Sequence, residues 1–172
     1  MEDVLAPELW DQLPAVRAAS PVPLAVGELA TSLTDAARLI SSGAVDFIRC
    51  HLSAIGGLTA GRKLAVLAEF SGVRTAWHSP ADVSPIGAAA NVAIDLSSPA
   101  FGIQEGHDYP DAVREVFPGT LRIDGGWTHA NEAPGWGIEI DEAAARRHPP
   151  GLSRHDLWAA GVRRPDGSLV AP

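Results

Sequence analysis

Glu28, Arg49, His78 and Glu105 each close a short apolar run and open a loop, and Glu2 stands at the same phase one unit earlier. Two carboxylates at neighbouring strand ends, Glu2 and Glu28, suit a hard divalent cation such as Mg2+, which takes oxygen ligands and keeps positions open for substrate oxygens. A histidine at His78 is a natural proton carrier or hydrogen-bond donor to a substrate oxygen. Arg49 offers a planar fork to an anionic or polyhydroxylated substrate. Read singly, each has a plainer alternative: a solvated loop carboxylate for Glu28, a backbone-bonded histidine for His78, an ion pair for Arg49. Five such residues at one structural phase argue for a shared rim. His51 lies two residues past Arg49 and shares its direction along the chain. His107, His129, His148 and His155 show no zinc-ligand spacing. Cys50 alternates away from Arg49 and reads as a buried structural thiol. The pairs Gly56-Gly57 and Gly125-Gly126 match no phosphate-cradling pattern.

The elements that would position the rim repeat as strand then helix. Pro7–Ala19 has helical spacing, Leu24–Val26 is a short buried strand, and Ser32-x-x-Asp35 opens a helix that Gly43 closes. Val45–Ile48 is the next strand, and a helix follows over Leu58–Ser71 with Gly72 at its end. Val73–Trp77 is a third strand. Ser84 then caps a helix with Pro85 at its first position, running to about Leu96. Phe101–Gln104 is a last strand ending at Glu105. Beyond Asp108 the alternation weakens into turns rich in Gly, Pro and Trp, with one helix near Glu142–Arg147; Trp127 and Trp136 are expected to pack this segment. Units of roughly 21 to 29 residues fit parallel βα repeats, in a doubly wound sheet or a barrel, and periodicity does not choose between them.

With 172 residues, 46% apolar composition and a formal charge of −8, the chain has the size and make-up of one globular domain and no basic surface for nucleic acid or anionic membrane. Its single cysteine allows no intrachain disulfide, which together with the lack of a leader-like or membrane-length apolar run points to a cytoplasmic protein.

Several stretches are similar to one family. Val26-Gly27-Glu28, Ile48-Arg49-Cys50-His51, Gly56-Gly57-Leu58-Thr59 and Arg74-Thr75-Ala76-Trp77-His78-Ser79-Pro80 resemble the mannonate dehydratase-like branch of the enolase superfamily. So do Asp82-Val83-Ser84-Pro85, Phe101-Gly102-Ile103-Gln104-Glu105 and Pro134-Gly135-Trp136-Gly137-Ile138-Glu139-Ile140-Asp141. The resemblance implies an α/β fold, the C-terminal half of a (β/α)7β TIM-like barrel (about strands five to eight), entered at the end of strand four. Residues 1–107 would be the partial barrel, and 108–172 an extension packing on the barrel or on a capping domain. It implies Mg2+ held in part by Glu2 and Glu28, a sugar-acid substrate bound by Glu28, Arg49, His78, Asp82 and Glu105, and a catalytic role for His78. The implied reaction removes the proton α to a carboxylate and expels the β-hydroxyl as water, with the metal stabilising the anion. Arg49 at the strand end where a racemase-like branch carries Asp favours the dehydratase-like branch. For a full-length chain, a family-type homo-oligomer is also implied.

The departures set further expectations. Met1-Glu2-Asp3-Val4 begins in mid-element, and Val4 replaces the usual proline. The first metal ligand, the acid His and the Tyr/Arg base of such enzymes would all lie upstream. The isolated chain is therefore expected to be inactive as a dehydratase, and half a barrel would leave two unpaired parallel edges. The alternative is a catalytically dead remnant, or a protein that binds or senses sugar acids without turning them over.

Overall fold

The structure is a computed structural model and describes residues 1–149. The 3-10 turn Pro7–Gln12 leads into α1 (Leu13–Ala19). What the spacing suggests as one helix is thus split, and Pro14 falls in the first turn of α1, where a missing N–H costs nothing. Next come β1 (Ala25–Val26), α2 (Leu33–Ser41), β2 (Phe47–Ile48), α3 (Leu58–Ser71), β3 (Arg74–Thr75) and α4 (Pro85–Leu96). The three strands are parallel in the order β1-β2-β3, with Ala25 beside Phe47 and Phe47 beside Arg74. Bridges Glu2–Ala25 and Thr75–Phe101 add one parallel segment on each side.

Regular strand geometry is shorter than the apolar runs, and Phe101–Gln104 contributes only a bridge. The ladder nevertheless reaches the rim. Arg49 N–H donates to Val26 O at 2.9 Å and His78 N–H to Cys50 O at 3.0 Å, so the residues after each strand stay in register as the chain turns out.

The predicted caps are present. Ser32 Oγ accepts from Asp35 N–H at 3.1 Å and Ser84 Oγ from Gly87 N–H at 3.2 Å, with Pro85 at the first position. Gly72 ends α3 in the left-handed region, at φ 69°. The helices cover the outer face of the sheet, where Leu13, Val26, Ile40, Ile48, Leu64 and Trp77 are fully buried. At the lower end, Asp46 takes Arg17 at 2.9 Å and the Leu24 N–H at 2.8 Å, which keeps it away from the rim.

After Glu105 the chain forms α5 (Asp111–Val116), an antiparallel hairpin of β4 (Arg122–Asp124) and β5 (Trp127–His129), and α6 (Glu142–Ala145). The hairpin turns at Gly125-Gly126, both at positive φ, the conformation a two-residue hairpin loop requires. Trp127 is 73% exposed on that hairpin, so it does not pack the segment as expected; strand alternation leaves it on an uncovered face. Trp136 is also exposed, at 37%, and borders a surface pocket with Ala89, Val92 and Leu121. His155 and the last part of the 108–172 extension lie outside the described residues. Among the described residues no helix is long and apolar enough to cross a membrane.

Beneath β3, α4 buries Asp95, whose two carboxylate oxygens have no hydrogen-bond partner among the described residues. Burial pushes its pKa up to about 7, partly opposed by the nearby Trp77 indole, although the two do not reach hydrogen-bond geometry. A folded-state value above the unfolded one means stability is fully present below about pH 4 and is lost as pH rises through about 7. Asp95→Asn should therefore gain on the parent chain between pH 4 and pH 8, by roughly 2–4 kcal/mol in urea melts at the upper end. A difference independent of pH would contradict a buried, unpaired Asp95.

Candidate active site

The rim is organised around one guanidinium. Arg49 leaves the end of β2 with its side chain 8% exposed, and carboxylates from three other segments converge on it. Its Nη1 donates to Glu28 Oε2 at 2.7 Å and to Asp3 Oδ2 at 3.1 Å, and its Nη2 donates to Glu105 Oε2 at 3.2 Å. Glu2 Oε2 lies 3.4 Å from Nε. Burial opposes the charge on Arg49, but the Glu28 bond and the charges of Glu105 and Glu2 outweigh it and raise the pKa above its ordinary value. The Arg49 bond in turn holds Glu28 below the usual carboxylate range, against burial and with help from His78.

This close approach depends on Gly27. Its φ of +137° lies where L side chains are rarely found, and an added Cβ would meet Cys50 Sγ at 3.0 Å and Arg49 backbone at 3.2 Å. The glycine therefore lets the end of β1 lie against β2 and delivers Glu28 to Arg49. Cys50 is fully buried and its thiol is pushed up to about 12, chiefly by burial, so it stays an inert packing group.

His78 is held from both sides. Its Nδ1 is 3.0 Å from Glu105 Oε2, and its Nε2 is 3.5 Å from Glu28 Oε1. Glu105 Oε2 also accepts from Ser79 N–H at 3.0 Å. A carboxylate surrounded by donors accepts from the ring as well, which assigns the proton to Nδ1 and leaves Nε2 as the atom that exchanges with a ligand. His51 sits edge-on to His78, ring centres 5.7 Å apart, with its Nδ1 2.8 Å from Ser53 Oγ. Its pKa is lowered, first by burial and then by His78.

Of the residues expected from the sequence, Glu2, Glu28, Arg49, His78 and Glu105 come together. Asp82 does not join their hydrogen bonds: it is exposed in the β3–α4 loop. Asp3 was not expected. In an extended segment it would face away from Glu2, but its φ of 39° turns the carboxylate inward, where Oδ1 also accepts from Gly27 N–H at 3.1 Å. The acidic pair Glu2-Asp3 is the only sequence signal for it.

Glu2 and Glu28 suit a hard cation by donor chemistry but fall short in number. Among the described residues no group of three or more His, Cys, Asp or Glu side chains is placed to hold a metal ion, and Arg49 pairs with both carboxylates. Arg49→Met would leave the converging carboxylates facing each other. It should destabilise the chain by about 2 kcal/mol in urea melts and make its melting temperature more responsive to Mg2+. A loss below about 0.5 kcal/mol would contradict an Arg49-centred rim.

A family model for enolase C-terminal domain-like proteins matches residues 1–144. A D-galactonate dehydratase family member of Catenulispora acidiphila is 61% identical over 172 residues, covering 100% of this chain and 40% of the relative. The D-galactonate dehydratase family member RspA of Pantoea ananatis is 46% identical, covering 100% and 41%. A crystal structure of an enolase from Pantoea ananatis with bound D-gluconate and Mg has a TM-score of 0.87 at 46% identity, over 99% of this chain and 41% of that one. A mandelate racemase/muconate lactonizing enzyme from Jannaschia sp. CCS1 has a TM-score of 0.81 at 29% identity, over 90% and 39%. The chain thus spans about two fifths of the length of these relatives. Its parallel βα units are part of a TIM-barrel-like domain, and the chain belongs to the enolase C-terminal domain-like family.

Proposed function

We propose that this chain is the C-terminal part of a Mg2+-dependent sugar-acid dehydratase, a hydro-lyase acting on a mannonate- or gluconate-type acid. The observation that carries this reading is the Arg49–Glu105–His78 arrangement: a buried cation for an anionic ligand beside a histidine whose Nδ1 is tied to Glu105 and whose Nε2 stands 3.5 Å from Glu28 Oε1. Likeness to relatives named as D-galactonate dehydratase family members, and to a structure holding D-gluconate and Mg, supports the substrate class and the cation. The reading takes β1, β2, β3 and the Phe101 segment as barrel strands five to eight, residues 1–107 as the barrel portion and 108–172 as its extension. A cytoplasmic location and a family-type homo-oligomer belong to the same reading.

In this scheme Glu2 and Glu28 supply two of the oxygen ligands of Mg2+, and the others come from outside this chain. Bound there, the cation would stabilise negative charge growing on the substrate carboxylate as its α-proton leaves. The remaining work falls to this chain's side chains. Arg49 exchanges part of its carboxylate pairing for substrate oxygens. Glu105 fixes the His78 ring through Nδ1, so that Nε2 meets a substrate hydroxyl in one orientation and moves a proton there. Asp82, free of the rim's hydrogen bonds, takes a substrate hydroxyl from the loop side. The α-proton would pass to a base from outside this chain and the β-hydroxyl would leave with the proton that His78 delivers, so that the sum is loss of one water. A second reading, a protein that binds sugar acids without turnover, is favoured by the hold of Arg49 on both candidate metal ligands.

Replacing the matching segment of the Catenulispora acidiphila relative by this chain tests the proposal. The chimera should dehydrate with Mg2+ any aldonate that its parent dehydrates, and His78→Asn should slow it by about 10²–10⁴-fold. A folded chimera that binds aldonate without turning over the parent's substrate would favour the second reading. The purified 172-residue chain by itself should show no dehydration; measurable mannonate turnover would contradict a division of the machinery between this chain and the rest.

A further inference from the structure

Against His78 lies a pocket of about 140 Å3 whose walls include His51, Leu52, Ser53, Val83 and Asn91. Asn91 of α4 is 1% exposed, and its Oδ1 has no hydrogen-bond partner among the described residues. A buried acceptor beside a cavity leaves a hydrogen bond unmade unless an occupant brings a donor. On the other side of the His78–Ser79 turn, the cavity beside Glu105 is only about 20 Å3, room for about one water.

We propose that this pocket is the subsite for the distal, hydroxylated end of a six-carbon acyclic sugar acid, and that it selects substrate by chain length. The inference rests on the reading of the rim as a sugar-acid site. From Arg49 and the Glu2–Glu28 pair a ligand chain has two directions open: the space of about 470 Å3 bordered by Arg49, Glu2 and Glu105, and the cavity of about 140 Å3 against His78. The unsatisfied Asn91 acceptor directs the hydroxylated tail to the second. Leu52, Val83 and Ala90 meet the C–H faces of such a tail, and its last hydroxyls donate to Asn91 Oδ1 and exchange hydrogen bonds with His51 Nε2. Asn91 and His51 are then specificity-determining residues, outside the set that handles the carboxylate end.

The test uses the purified chain with Mg2+ and two probes: D-gluconate, with six carbons, and erythronate, with four and therefore no distal end. Saturation-transfer NMR should show the C5 and C6 protons of gluconate as the most strongly contacted. Asn91→Leu should weaken gluconate binding about tenfold and leave erythronate unchanged. Should Asn91→Leu fail to fold by circular dichroism, His51→Phe keeps a ring against His78 without its hydrogen bonds and should weaken gluconate alone, about threefold. Equal effects on both acids, or none on either, would overturn the chain-length subsite while leaving the rim reading intact. No binding of either acid to the unaltered chain would overturn both.

Discussion

One buried guanidinium shared among carboxylates from different βα units is the constraint on which the rest of the site depends. Glu2, Asp3, Glu28 and Glu105 would repel one another at this spacing; Arg49 converts that repulsion into a lattice of charge-assisted bonds. Its partners stay partly exposed, which limits the desolvation each must overcome. The cation also links segments that would otherwise meet only through the sheet: the Met1–Asp3 segment, the turn after β1, and the segment after Phe101. The orientation of His78 follows from the same lattice, because Glu105 binds Arg49 and His78 through a single oxygen.

The rim was legible because parallel βα units deliver the residues just past each strand to one face, whatever the local sequence. That geometry made Glu28, Arg49, His78 and Glu105 recognisable as a set, and the backbone bonds past β2 and β3 keep it. Helix boundaries at Ser32, Gly72 and Ser84 could be read for a local reason: their caps are chemistry between residues at most a few positions apart.

What the sequence did not disclose depends on backbone turns and on missing cover. Alternation puts Asp3 on the opposite face from Glu2, and only a left-handed backbone at Asp3 reverses that. The resemblance implied a substrate-binding Asp82, yet the side chain is exposed in the β3–α4 loop and joins none of the rim's hydrogen bonds. The β4–β5 hairpin was hidden by short strands with little apolar alternation, although Gly125-Gly126 was its turn signal. Trp127 looked like a packing residue by composition, but no element among the described residues covers it.

The central claim is that Arg49 ties Glu105, and through it His78, to the carboxylate rim. A double-mutant cycle in urea melts, pairing Arg49→Met with Glu105→Gln, measures that link directly. The account predicts a coupling of about 1–2 kcal/mol. Additive losses, within about 0.3 kcal/mol, would show that the two side chains are neighbours without being partners, and would contradict it.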